Sequence, residues 1–276
     1  MHKKNRRKNG IVYLMLAIGV VIFIVPYIYM MIASTQNNAM ILSNTINLKF
    51  GSHLMENMNY LLENYQYVRV IFNSLFVTII GTLVSTFVTT LAGYTLAKYR
   101  FMANRAFFMV IMLSRMIPGF AILIPTFMIF SRLGLTNTYG GIILPAVASA
   151  NAVFIMKQYA DSFPIELIEA ARIDGAGEFR IFYQIALPLL KPNIITSGLL
   201  IFMGYWNSYL FPLVMTSDTE MYTVPLVIRN ITQASQDDLN YGAMMAVLAT
   251  SVIPVLALYT WVQSKFKSTD VDKGIK

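Results

Sequence analysis

The chain has 276 residues, 57% of them apolar and only 12% charged, with a mean hydropathy of +0.59 and a net charge of +8. Soluble domains carry about 45–50% apolar and about 25% charged residues, so this composition excludes an ordinary soluble core and points to a bilayer as solvent. The absence of cysteine excludes disulfide and thiolate chemistry, and the two histidines, His2 and His53, offer no cluster with metal-ligand spacing.

Lys3, Lys4, Arg6, Arg7 and Lys8 precede an apolar run from Ile11 to Ala33. A secretory signal has an apolar core of roughly 7–15 residues; this longer run reads as an uncleaved first span. Six stretches, near 11–33, 70–96, 106–130, 140–159, 194–215 and 241–263, reach the roughly 17–25 residues that a helix needs to cross hydrocarbon. Backbone groups cannot go unpaired in lipid, so the spans are expected to be helices, and the short alternating segments of a β-barrel are missing. The expected fold is an all-α polytopic membrane protein with six transmembrane helices, a single membrane domain covering residues 1–276.

Individual spans carry polar features. In the second, Thr78, Thr82, Ser85 and Thr89 form a stripe, with Gly81 four residues before Ser85, and this reads as helix packing. In the third, Arg115 lies roughly 15 Å along the helix from Arg105, too deep for easy escape to water, which implies a water-filled cavity or a polar partner. Pro118 and Pro125 are expected to kink that span. In the fifth, Tyr205, Trp206, Asn207 and Ser208 fall near the middle, where an aromatic face beside hydrogen-bonding groups suits a sugar; Gly204 and Ser208 equally suit helix packing.

Charge sets the orientation. With a cytoplasmic N-terminus, 16 Lys and Arg face inside and four (Lys49, Arg69, Arg132, Arg229) face outside. Both termini and the polar segment 161–193 are therefore expected on the cytoplasmic side of a cell membrane. The basic charge is thereby accounted for by topology and not by a nucleic-acid partner.

None of the 13 acidic residues falls in a span, whereas ion-coupled carriers usually place carboxylates near the midplane. The chain also lacks a Gly-x-x-x-x-Gly-Lys-Ser/Thr phosphate loop. It is thus expected to be no enzyme, to hold no cofactor, and to draw any energy for uphill transport from a partner.

Segment 161–193 reads as a helix–turn–helix. Ser162 and Pro164 form a candidate start, Glu166 and Glu169 suit the first turns, and Asp174-Gly175-Ala176-Gly177 breaks the helix. A second helix from Glu178 to Leu187 places Phe179, Phe182, Tyr183 and Ala186 on one stripe, with Pro188 and Pro192 expected to end it. Residues 161–191 hold five acids against three bases. A pair lying on the anionic inner leaflet would be basic, so a basic protein partner is the better fit.

Glu169, Ala170 and Ala171, then Gly175 after three residues, then Ile185, Leu187 and Pro188 after nine more resemble the EAA loop of ABC importer permeases. The stretches 137–145, 204–212 and 221–226 are similar to carbohydrate-importer permeases of the maltose type. That resemblance implies a coupling helix seated in a cytoplasmic ATPase, with Glu169 paired to a basic group and Gly175, after Asp174, allowing a sharp turn. It further implies a related but distinct second permease subunit, an ATPase dimer that binds the ATP and magnesium, an extracytoplasmic sugar-binding protein, and half of a sugar pathway. Tyr205, Trp206, Asn207 and Arg115 are the candidate pathway residues. An ion-coupled secondary transporter, an ABC permease for another small polar solute, and a non-transporting membrane scaffold are the alternatives.

Overall fold

The computed structural model describes residues 2–43, 45–234 and 239–273. Its helices run in chain order as α1 (His2–Ala33), α2 (Asn38–Ile41), α3 (Leu54–Tyr65), α4 (Tyr67–Lys98), α5 (Asn104–Ser114), α6 (Gly119–Arg132) and α7 (Tyr139–Ile143). There follow α8 (Ala150–Ser162), α9 (Glu166–Ile173), α10 (Glu178–Ile181), α11 (Leu187–Trp206), α12 (Leu210–Met215), α13 (Val224–Thr232) and α14 (Tyr241–Lys273). No strand occurs among the described residues.

Four helical segments are unbroken and apolar enough to cross a membrane: Val12–Ala33, Tyr67–Lys98, Glu178–Trp206 and Tyr241–Ser264. The third and fourth expected spans are each divided. α5 and α6 meet at 106°, and Tyr139–Ala146 meets α8 at 46°; counting each bent pair as one span gives six.

Proline position explains both breaks. Pro118 adopts φ −59°, ψ 133° ahead of α6; a proline cannot donate to the preceding turn and forces its neighbour away from helical angles. The third span is thus interrupted at residues 115–118 and not merely kinked, with Arg115 in the break. In the fourth, Pro145 lies in a 3₁₀ turn at Leu144–Ala146, and the Ser149 hydroxyl restarts the helix by accepting from the Ala152 N–H at 3.4 Å.

The expected proline stop after residue 187 is corrected. α10, a π turn at Phe182–Ala186 and α11 form one continuous segment that carries Pro188 and Pro192 within it. The Leu187 N–H reaches back five residues to the Phe182 carbonyl, which places Pro188 in the first turn of α11, where proline's missing donor is tolerated. The fifth span consequently ends at Trp206, so Tyr205, Trp206 and Asn207 sit at a helix terminus and not mid-span. Ser162 is likewise the last residue of α8 and not the start of a polar helix; its hydroxyl donates to the Tyr159 carbonyl at 2.7 Å.

The residues group into two compact units, Met1–Val68 with Val227–Val255, and Arg69–Leu226 with Leu256–Lys276. The first is tied by a buried polar knot after α1. Gln36, 1% exposed, donates to the Asn47 and Lys49 carbonyls at 3.0 and 2.8 Å. Asn57, 3% exposed, donates to the Ser34 and Gln36 carbonyls at 2.8 and 2.9 Å. These bonds satisfy backbone groups that no helix serves. Gly51 and Gly242 close the knot, because a Cβ at Gly51 would overlap the Thr35 carbonyl and one at Gly242 would overlap Asn57 and Gln36.

In the second unit α4, α8 and α11 pack closely. A Cβ at Gly93 would lie 2.6 Å from that of Met156. Most of the stripe in the second span is packing: Thr78, Ser85 and Thr89 are buried, and the Tyr205 ring lies over Gly81, 2.7 Å from where a Cβ would stand, while Thr82 is half-buried beside a cavity.

Gly51→Ala is expected to destabilise the first unit by about 1–3 kcal/mol through forced displacement of backbone, whereas Gly19→Ala, whose Cβ meets nothing within 4 Å, is expected to be neutral or stabilising. Thermal unfolding of the two variants in detergent checks this; equal midpoints would show that the knot has room to relax.

Candidate functional site

The polar segment beneath the spans is built on an apolar anchor. Ile168 and Ala171 of α9, Ile181 of α10, Phe182, Ala186 and Leu190 are buried in one cluster with Tyr94 of α4 and Met156 and Ala160 of α8. Burial of an Ile or Phe side chain stabilises by about 1.5–3 kcal/mol, so the helix–turn–helix is fixed to the spans and does not hang freely from them. Polar contacts add direction. Lys98 Nζ donates to the Phe163 carbonyl at 2.5 Å, and Asn104 Nδ2 to the Tyr99 carbonyl at 2.6 Å.

The turn itself is a paired C-terminal cap of α9. Gly175 takes φ +79°, its N–H donates to the Arg172 carbonyl at 3.0 Å, and the Ala176 N–H donates to the Ala171 carbonyl at 2.9 Å. A left-handed residue at this position lets the last helical carbonyls be satisfied while the chain reverses, and glycine adopts it without Cβ strain. Nothing lies within 4 Å of a Cβ added there, so the requirement is conformational.

Across the turn, Arg172 clamps Glu178 through Nε at 2.8 Å and a second nitrogen at 3.3 Å, and the Tyr99 hydroxyl donates to the same carboxylate. Burial first, and then that bond to Glu178, hold the Tyr99 phenol above its ordinary pKa, so it remains a donor. The Arg172–Glu178 pair is exposed and worth only about 0–1 kcal/mol; its contribution is to register one helix against the other.

The sequence-predicted coupling residues divide into two groups. Ala171 is buried, and Ile185 and Leu187 pack against the anchoring cluster. Glu169, Ala170, Asp174 and Gly175 are exposed at the tip, and Pro188 is exposed on α11. Glu169 makes no ion pair among the described residues. Beside the tip, Ile173 and Phe179 are 87% and 83% exposed, and this apolar pair was missed from sequence. Of the expected stripe of Phe179, Phe182, Tyr183 and Ala186, only Phe182 and Ala186 turn inward, while Phe179 and Tyr183 are exposed.

The candidate pathway residues are not gathered at one point. Tyr205, 6% exposed, lines a cavity of 470 Å³ between α8 and α11, while its hydroxyl is committed to the Ile143 carbonyl at 2.9 Å and Ser85 Oγ at 3.0 Å. Trp206 is buried and stacks on Phe202, ring centres 6.2 Å apart. Asn207 is exposed and donates to the Met203 carbonyl at 2.9 Å, capping α11. Arg115, expected to meet a water-filled cavity or a polar partner, is exposed, with its guanidinium 4.9 Å from the Phe154 ring centre and a contact to Met112 Sδ at 3.8 Å. Asn151 also lines the cavity. An amide inside the fourth apolar stretch was the available signal for it.

With this geometry in hand, likeness to known proteins is informative. Residues 89–268 match the family described as binding-protein-dependent transport system inner membrane component. The lactose transport system permease protein LacG of Rhizobium radiobacter is 30% identical over 263 residues, 95% of each chain. The sn-glycerol-3-phosphate transport system permease protein UgpE of Rhizobium meliloti (strain 1021) is 32% identical over 273 residues, 96% of this chain and 97% of that one. In fold, the chain is similar to one from a bacterial ABC transporter involved in the import of the acidic polysaccharide alginate, with a TM-score of 0.81 over 95% of this chain and 98% of the other, at 24% identity. The match over most of the spans and the whole helix–turn–helix makes this chain a member of the binding-protein-dependent transport system inner membrane component family, the membrane-embedded permease subunits of ABC importers.

Proposed function

We propose that the chain is one of two permease subunits of an ATP-driven carbohydrate importer and that the α9–α10 turn is where the ATPase delivers its work. The carrying observation is mechanical. A helix pair anchored by Ile168, Ile181 and Phe182 presents an outward tip of Glu169, Ala170, Asp174 and Gly175, flanked by exposed Ile173 and Phe179. Exposed apolar side chains beside an unpaired carboxylate suit a protein cleft that is hydrophobic at its base and basic at its rim.

In this reading residues 1–276 act as a single permease domain of the inner membrane, with both termini and residues 161–193 cytoplasmic, supported by the 16-to-four partition of positive charge. A second, related permease subunit completes the pathway, an ATPase dimer grips the two turns, and an extracytoplasmic binding protein delivers solute. The Val12–Ala33 span is only 6% buried, as expected of a helix covered by lipid or by another subunit. Closure of the ATPase dimer on ATP draws the turns together, and the anchoring cluster passes that movement to α4, α8 and α11. Carbohydrate cargo is supported by the maltose-type motifs and by the name of the LacG relative; the UgpE relative favours a phosphate ester as the alternative. Tyr205 serves as a fixed wall of the pathway, and Trp206, Asn207 and Arg115 act at its margins.

Glu169→Lys is expected to lower ATP-driven uptake by reconstituted importer at least about tenfold, the loss of one well-placed charged contact being worth roughly 2–5 kcal/mol. Gly175→Asn should retain most activity and Gly175→Val lose it, because Asn tolerates left-handed angles and β-branched residues do not. Full uptake with both Glu169→Lys and Gly175→Val would refute the coupling assignment.

Tyr205→Phe is expected to cost about 1 kcal/mol of stability through loss of the buried hydroxyl's bonds, with uptake per assembled complex unchanged. Uptake that drops without any change in thermal midpoint would instead place the hydroxyl in contact with solute.

A further inference from the structure

The cavity between α8 and α11 has a lining whose chemistry narrows its occupant. Its 470 Å³ lies within the roughly 300–1,000 Å³ of small-molecule pockets. No Asp, Glu, Lys, Arg or His lines it. Of its polar groups, three are already engaged. The Ser149 hydroxyl caps the Ala152 N–H, Ser197 Oγ donates to Met156 Sδ at 3.3 Å, and the Tyr205 hydroxyl donates to the Ile143 carbonyl at 2.9 Å. Asn151 and Ser208 remain, and neither side chain makes a hydrogen bond among the described residues. An amide presents two donors and an acceptor oxygen with two lone pairs, the complement of adjacent hydroxyl groups. Phe211 supplies an apolar face, on which the C–H side of a sugar ring can rest.

Gly204 gives the cavity an open side. A Cβ added there meets no atom within 4 Å, so this glycine does not serve close packing with any described residue, unlike Gly81 and Gly93. An anion entering such a lining would shed water without gaining a counter-charge, which is strongly unfavourable, whereas a neutral polyol loses less and is repaid by hydrogen bonds.

We propose that this cavity is a solute half-site for an uncharged, polyhydroxylated molecule, with Asn151 as its hydrogen-bonding anchor and Gly204 as the opening that admits the ring. The proposal rests on the permease reading and refines it: the cargo is a neutral carbohydrate and not a phosphate ester or uronate.

The absence of native cysteine allows a test that needs neither ATP nor a known cargo. Asn151→Cys and Gly204→Cys, each in the full importer solubilised in detergent, are treated separately with neutral hydroxyethyl methanethiosulfonate and anionic sulfonatoethyl methanethiosulfonate. Modification of this chain is followed by mass spectrometry, and each rate is divided by that of the same reagent at Met102→Cys, a fully exposed site. Both cavity positions are expected to react with the neutral reagent, and the sulfonate to be slower by at least about tenfold after normalisation, reflecting the cost of an unpaired charge. Equal normalised rates would overturn the charge selection, and no reaction with the neutral reagent at either position would overturn the open half-site. Both results are independent of coupling, so a permease reading that failed through Glu169→Lys would be told apart from a failure here.

Discussion

Ile168, Ile181 and Phe182 share one buried cluster with Tyr94, Met156 and Leu190, and the proposed coupling depends on that contact. Force applied to a surface turn does no work on a distant span if the turn is hinged loosely. Here the α9–α10 pair is held to α4, α8 and α11 through buried side chains, and close-packed contacts transmit displacement with little give. The Arg172–Glu178–Tyr99 contacts register the two short helices against each other and against the end of α4. The buried anchor and the exposed tip are therefore two faces of the same short helices.

The spans show how proline meaning depends on context. Pro118 breaks a helix outright, Pro145 occupies a 3₁₀ turn, and Pro188 stands near the start of a helix that runs on from the cytoplasmic segment. All three lack the same N–H. What differs is whether the preceding turn would have used it. At Pro188 the π turn has already shifted the ladder by one residue, so the proline falls where a donor is spare. A local reading of Ile-Ala-Leu-Pro has no access to that shift, which follows from packing of Phe182 and Ala186 into the cluster.

Glycines divide in the same manner. Gly51, Gly81, Gly93 and Gly242 are glycines because a neighbour occupies the space of a side chain; Gly175 is one because of its backbone angle; Gly204 faces open space. These are three physical reasons for one residue type, and only the surroundings tell them apart. The distinction moves Gly204 from helix packing, its reading from sequence, to the edge of a cavity, and moves Tyr205 toward packing, since its hydroxyl is already spent on Ile143 and Ser85.

Several properties were legible in the chain by itself. Length and hydropathy of the runs require helices in lipid, because no other backbone arrangement satisfies its polar groups there. The helix break at Asp174-Gly175-Ala176-Gly177 is legible in the same way, and Gly175 turns the chain there because the left-handed angle is a local demand. The turn between two polar helices follows from its glycines, and most of the stripe of Thr78, Thr82, Ser85 and Thr89 from periodicity. Where the spans break, which aromatic residues face inward, the polar knot around Gln36 and Asn57, and the charge-free cavity beside Asn151 were decided only in three dimensions. Each depends on partners far away in sequence, and the energies of burial and of buried hydrogen bonds belong to those pairs, not to either residue alone.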